Sequence, residues 1–300
     1  MERAPDTGPG VQGSQWLRAV SREGPVGVFD SGMGGLSVLR EIRKALPAED
    51  LLYVADSGYA PYGDRPREFI RRRSAAIADF FLRSRVKAMV VACNTVTGVA
   101  IEDLRARCPV PVVAIEPAIK PAAGMTKSGV VGVLATRRTI DSPRVSRLIS
   151  LYGNGVRVLL QPCPGLVELV ERAELAGPAT GALVERYVAP MLEKGADTIV
   201  LGCTHYPFLV PLIQEITGPG VIVLDPAAAV ARELGRRLTA GRIASPSTRK
   251  GVEQFWTSGP VDHARWVIGE LWGGRPKVRR LPPDCGDRKS TRLNSSHGKL

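Results

Sequence analysis

Short apolar runs alternate with stretches of helical period along most of the chain. Eight of these runs, Val26 to Phe29, Leu51 to Val54, Ala88 to Ala92, Val112 to Ile115, Val130 to Leu134, Val156 to Leu160, Thr198 to Leu201 and Val221 to Leu224, are four or five residues long and mostly Val, Leu, Ile and Ala. That is the pattern of strands covered on both faces. Between most of them lies a helix. Gly35 to Leu46 puts Leu36, Leu39, Ile42 and Leu46 on one face and stops at Pro47, and Arg67 to Ser84 has Ile70, Ile77 and Phe81 as its buried stripe. The βαβα order predicts an α/β fold of doubly wound, mostly parallel sheets, with functional loops at the strand C-terminal ends.

The pattern repeats weakly. Gly27-Val28-Phe29-Asp30-Ser31 returns as Gly132-Val133-Leu134-Ala135-Thr136, and Met89-Val90-Val91-Ala92-Cys93-Asn94-Thr95 returns as Ile199-Val200-Leu201-Gly202-Cys203-Thr204-His205. The offsets, 105 and 110 residues, are close enough to predict two related α/β halves. Each half carries a cysteine at the same place, just past a strand.

Composition narrows the class. Three hundred residues with 44% hydrophobic content can bury a full core without disulfides or metal. The longest uncharged stretch, Thr198 to Gln214, holds His205, Pro207 and Pro211 and falls short of the roughly 20 apolar residues of a membrane span. Met1 to Gly24 lacks a secretory pattern and reads as a mobile extension, so the cytoplasm is the expected compartment. The net charge of +12 raises the question of nucleic acid, but Arg275 to Leu300 alone has eight basic residues against two acidic ones, and aromatics are only 5% of the chain. Nucleic acid is therefore not an expected partner. Arg71, Arg72 and Arg73 read as a solvated helix face. Residues 273–300 read as a basic tail; 287–300 have the texture of non-native or disordered sequence, so Cys285 and His297 are set aside as site residues.

The candidate chemistry centres on Cys93 and Cys203. Both should sit at a sheet's C-terminal edge beside a helix N-terminus, whose dipole favours a thiolate. Cys108 and Cys163, each followed by proline, read as structural. His205 and Asp30 stand at the same strand ends. Gly32-Met33-Gly34-Gly35-Leu36-Ser37 has two glycines of a dinucleotide loop but Ser37 at the third, with Asp56 a passable ribose acceptor; Asp30, just ahead of the turn, opposes a pyrophosphate there. A zinc site from Cys93, Cys203 and His205 has no C-x-x-C spacing behind it.

From Val26 to about Arg236 the chain resembles the glutamate racemases. The resemblance lies in Asp30-Ser31-Gly32-Met33-Gly34-Gly35-Leu36-Ser37-Val38-Leu39-Arg40, Pro61-Tyr62-Gly63, Ala92-Cys93-Asn94-Thr95, Cys163-Pro164 through Val170-Glu171, and Gly202-Cys203-Thr204-His205-Tyr206-Pro207. It implies catalysis without cofactor or metal, with the two cysteines on opposite faces of the substrate α-carbon. It also implies that Asp30, Ser31, Pro61, Tyr62, Gly63, Asn94, Thr95 and Thr204 hold the amino acid, that Glu171 and His205 assist Cys203, and that Asp30 belongs to the catalytic set. Two similar lobes related by pseudo-two-fold symmetry, 25–117 with 226–272 and 118–225, would enclose the substrate. D-glutamate for peptidoglycan is the implied product. A homodimer, a peptidoglycan-precursor activator and gyrase binding are left open. Asp225-Pro226-Ala227-Ala228 departs from the family's Asp-Ser-Gly-Ala run, which puts its local turn in question.

The chemistry is coherent on its own terms. Inverting an α-carbon means removing a proton from one face and returning one to the other. A thiol, with a pKa of about 8.5, can serve as base in one direction and acid in the other. The alternatives are an aspartate or other amino-acid racemase, a non-catalytic binder on the same scaffold, and a dehydrogenase using the glycine loop.

Overall fold

The computed structural model describes residues 21–285. The expected extension at 1–24 and the segment 287–300 lie mostly or wholly outside these residues. Each expected strand is present: β1 (Val26–Asp30), β2 (Leu51–Ala55), β3 (Ala88–Val91), β4 (Val112–Ala114), β5 (Val130–Ala135), β6 (Arg157–Pro162), β7 (Thr198–Gly202) and β8 (Ile222–Leu224). Two more follow, β9 (Glu253–Thr257) and β10 (Val278–Arg280). The helices are α1 (Leu36–Ala45), α2 (Arg67–Arg83), α3 (Asn94–Arg107), α4 (Ile119–Met125), α5 (Arg137–Ile140), α6 (Pro143–Tyr152), α7 (Leu166–Glu171), α8 (Pro178–Glu193), α9 (Val210–Thr217), α10 (Ala227–Ala240) and α11 (Val261–Trp272).

Two sheets result, both wholly parallel. The first runs β10-β9-β2-β1-β3-β4 and the second β6-β5-β7-β8. The order β2-β1-β3-β4 in one and β6-β5-β7-β8 in the other is the same order displaced by four strands, so the duplication expected from the sequence is a duplication of topology. In each, the chain reverses its winding between the first and third strands, β1/β3 and β5/β7. Open α/β sheets place their binding crevice at the carboxyl ends of such strands. Asp30 and Cys93 flank that point in the first sheet, and Thr136 and Cys203 flank it in the second.

Strands β1, β2, β3 and β7 are buried at every residue, which explains their unbroken apolar reading. Strands β9 and β10 read poorly for the opposite reason. In β9 only Phe255 and Thr257 are buried, and in β10 only Val278: β10 is the edge strand of the first sheet and β9 the strand next to it. The residues 273–280 thus continue that sheet, and the basic-tail reading is corrected for them: Arg279 lies over the Trp256 ring at 5.4 Å, and Val278 packs inward. Arg73 is a second correction. It is 1% exposed, on the same face of α2 as Ile70, Ile77 and Phe81, while Arg71 points outward to Asp103. The departure at Asp225 keeps a working turn, since the Asp225 carboxylate accepts the Ala227 N–H at 2.9 Å and caps α10. No helix among the described residues is long and apolar enough to cross a membrane.

Candidate active site

The two sheets meet with their carboxyl ends facing, and hydrogen bonds cross between them in a two-fold pattern. On one side the loop after β1 and the start of α1 meet the loop after β7 and the end of α7: Thr204 Oγ1 donates to Asp30 Oδ2 at 3.2 Å, Ser37 Oγ donates to the Thr204 carbonyl at 3.0 Å, and Met33 N–H donates to Glu171 Oε1 at 2.6 Å. On the other, the start of α3 after β3 meets the loop after β5, with the Thr95 hydroxyl 3.0 Å from that of Thr136. Between the two seams lies a narrow cavity of about 10 Å³, closed down to the size of a water molecule.

Ten of the expected site residues line it: Ser31, Pro61, Tyr62, Gly63, Cys93, Asn94, Thr95, Cys203, Thr204 and His205. Asp30 and Glu171 stand one layer behind, against Ser31 and His205. Thr136, Val167 and Gly202 also line the cavity and were not singled out from the sequence. Thr136 could have been found, because it is the repeat's counterpart of Ser31. Cys108 and Cys163 are buried away from the cavity, consistent with packing.

On the first-sheet side, Cys93 Sγ is 3.2 Å from Ser31 Oγ, which is 3.5 Å from Asp30 Oδ1. Asp30 is itself fixed, accepting from Ser31 N–H at 2.8 Å and Gly35 N–H at 2.5 Å. Burial pushes its carboxyl up to about 6, against the opposing pull of His205. Burial, reinforced by the Asp30 charge, pushes the Cys93 thiol up to about 12. At Cys93, desolvation and the neighbouring carboxylate thus outweigh the N–H groups of α3 and favour the thiol over the thiolate that a helix N-terminus alone would favour.

On the second-sheet side, His205 Nδ1 is 3.7 Å from Cys203 Sγ and its Nε2 is 2.6 Å from Glu171 Oε1. Burial works against an imidazolium, but Cys203 and Glu171 together outweigh it and hold His205 well above its ordinary value. The chain Glu171–His205–Cys203 can thus hold a proton and exchange it with the sulfur. Both amide atoms of the Asn94 side chain are buried without a protein partner, beside the cavity at the N-terminal turn of α3. Such atoms call for a polar ligand.

The glycine loop serves this contact between lobes. A Cβ on Gly32 would lie 2.2 Å from Glu171 Oε1, one on Gly34 2.4 Å from His205 Nδ1, and one on Gly35 2.6 Å from Asp30 Cβ. The Met33 and Gly35 N–H groups already point at carboxylates. No room or donor is left for a pyrophosphate, and the dinucleotide reading fails on this geometry. Among the described residues, no group of three or more His, Cys, Asp and Glu side chains is arranged to hold a metal ion.

Two free thiols thus stand at equivalent ends of two duplicated sheets, both facing one cavity. Residues 26–234 match the model of the Asp/Glu/Hydantoin racemase family, and the chain belongs to that family. It is 53% identical over 260 residues to a glutamate racemase of Methylococcus capsulatus, covering 87% of this chain and 96% of that one. It is 51% identical over 257 residues to a glutamate racemase of Pseudomonas aeruginosa, covering 85% and 97%. Among solved structures, Escherichia coli glutamate racemase in complex with L-glutamate and the activator UDP-MurNAc-Ala superposes with a TM-score of 0.75 at 32% identity, covering 86% of this chain and 98% of that chain. The complex of the Francisella tularensis glutamate racemase with D-glutamate gives 0.76 at 26% identity, covering 87% and 98%.

Proposed function

We propose that this chain interconverts L- and D-glutamate by a two-base mechanism in which Cys93 and Cys203 act on opposite faces of the α-carbon. The observation that carries the proposal is the pairing of one thiol from each duplicated sheet on a single buried polar cavity between the sheets. With L-glutamate bound, Cys203 takes the α-proton, with His205 and Glu171 assisting, and Cys93 returns a proton to the other face. Its state as a thiol supports this direction. With D-glutamate the roles reverse, and the Cys93–Ser31–Asp30 contacts give the displaced proton somewhere to go. Asn94, with both amide atoms unpaired, Thr95 and Thr204 hold the substrate carboxylates. The N–H groups at the start of α3 stabilise the charge that develops on the enolate.

Identity near 50% with curated glutamate racemases supports glutamate over aspartate. Cytoplasmic supply of D-glutamate to cell-wall peptide follows from the same kinship. The activator bound by the Escherichia coli relative supports a peptidoglycan precursor as regulator here. The test is turnover of each enantiomer of glutamate and aspartate, followed by chiral separation, with no pyridoxal phosphate, nicotinamide or metal added. Conversion of both glutamate enantiomers, with aspartate slower by about 10²-fold or more, is expected. Equal conversion of aspartate would shift the assignment to the broader racemase class, and no conversion of either would leave a binder on this scaffold.

A further inference from the structure

A buried charged cluster lies directly behind the cavity wall and takes no part in the proton transfers. Asp56 directly follows β2 and Arg73 comes from the inner face of α2; they are 0% and 1% exposed. The guanidinium forks onto the carboxylate, Nε to Oδ2 at 2.9 Å and Nη2 to Oδ1 at 2.8 Å. Its remaining nitrogen, Nη1, donates to the Cys285 carbonyl at 2.5 Å, and its plane lies over the Tyr59 ring at 4.1 Å. The Tyr62 hydroxyl donates to Asp56 Oδ2. Tyr59 and Tyr62 stand on either side of Pro61, so two of the cluster's contacts end on the segment that carries Pro61, Tyr62 and Gly63 into the cavity. The third ends on the chain just beyond β10.

Burying an ion pair carries a large desolvation penalty and stabilises a fold weakly, if at all, over an apolar filling. A fork with rigid geometry, by contrast, fixes direction well. We infer that Asp56 and Arg73 are positioning residues that lock the Pro61-Tyr62-Gly63 segment in the cavity wall, with residues 281–285 as the stop behind them. The inference rests on the proposed racemase reading of the cavity. It gives Asp56 a task other than ribose binding and explains why Arg73 lies inside. One corollary is that Tyr62 offers substrate its ring and backbone, because its hydroxyl is engaged by Asp56.

The test uses Arg73→Lys, which keeps the charge but loses the fork, and Tyr62→Phe, which removes only the hydroxyl. KM and kcat are measured for both glutamate enantiomers, together with Tm and amide hydrogen exchange of residues 57–65. Arg73→Lys is expected to raise KM about tenfold for both enantiomers with kcat changed less than about threefold, and to speed exchange in that segment. Tyr62→Phe should shift KM the same way by about threefold, and the double variant should be no worse than Arg73→Lys alone. A lowered Tm with wild-type KM and wild-type exchange would reduce the pair to fold support and overturn the inference. Multiplying KM effects in the double variant would also overturn it, since the hydroxyl would then act independently of the pair. If Arg73→Lys does not fold, Tyr62→Phe decides, and unchanged KM and exchange overturn the inference. If the wild type does not racemise glutamate, the functional reading has failed separately, and segment exchange alone decides this one.

Discussion

Serine at either Cys93 or Cys203 is expected to slow racemisation by about 10³-fold or more, because a hydroxyl is a far weaker base than a thiol and the reaction needs a proton donor or acceptor on each face. The loss in kcat/KM must be equal in both directions, since the enantiomers have the same free energy and the equilibrium constant is one. The division of labour shows instead in a substrate that needs only one base. In 3-chloroglutamate, removal of the α-proton is followed by departure of chloride from the neighbouring carbon, with no reprotonation on the far face. Cys93→Ser should retain elimination from the L isomer through Cys203, and Cys203→Ser should retain it from the D isomer through Cys93. Chloride release from two variants and two stereoisomers reads the pattern. Equal loss with both isomers in both variants would remove the one-face-per-cysteine account.

Gly34→Ala is expected to cost about 10²-fold in kcat/KM, the scale of effect that a displacement of about 1 Å at a reacting group produces. Its Cβ would stand 2.4 Å from His205 Nδ1 and 2.6 Å from Cγ. The imidazole cannot step aside, because Glu171 holds one nitrogen and Cys203 borders the other. Relief would have to come from parting the lobes, which breaks the Thr204–Asp30 and Met33–Glu171 hydrogen bonds. Gly124→Ala is the control. Nothing lies within 4 Å of that Cβ, and alanine in α4 should be neutral or add about 1 kcal/mol to stability. Rates and melting curves of the two variants make the comparison, and wild-type turnover in Gly34→Ala would count against the close approach described here.

The eight strands from β1 to β8 were legible because short continuous apolar runs admit few other readings, whether fully buried as in β1, β2, β3 and β7 or only partly so as in β6 and β8, and the cysteines stood out through the internal repeat. Two kinds of feature escaped. Strands β9 and β10 present one face to the core and carry charge on the other, so Glu253 and Arg279 hide them in a polar texture. The burial of Arg73 escaped because nothing local distinguishes it from Arg71 and Arg72; its partner is Asp56, on another element and legible only in three dimensions. For the glycines of the loop after β1, Ser37 and Asp30 spoke against a phosphate, but spacing alone could not show that they serve close approach to a second lobe. The upward push on the Cys93 thiol was not legible for a similar reason: a helix N-terminus is visible in a sequence, while the burial of its surroundings and the approach of Asp30 are not.

The most direct test of the two-base account is racemisation of L-glutamate in D2O, stopped at low conversion, with the enantiomers separated and α-deuterium counted in each. Two bases on opposite faces predict D-glutamate that carries α-deuterium throughout, delivered by a solvent-exchanged Cys93, while the remaining L-glutamate keeps its protium. D-glutamate that retains the substrate's own proton, or L-glutamate that gains deuterium as fast as the D enantiomer appears, would mean that one group serves both faces, and would contradict the account.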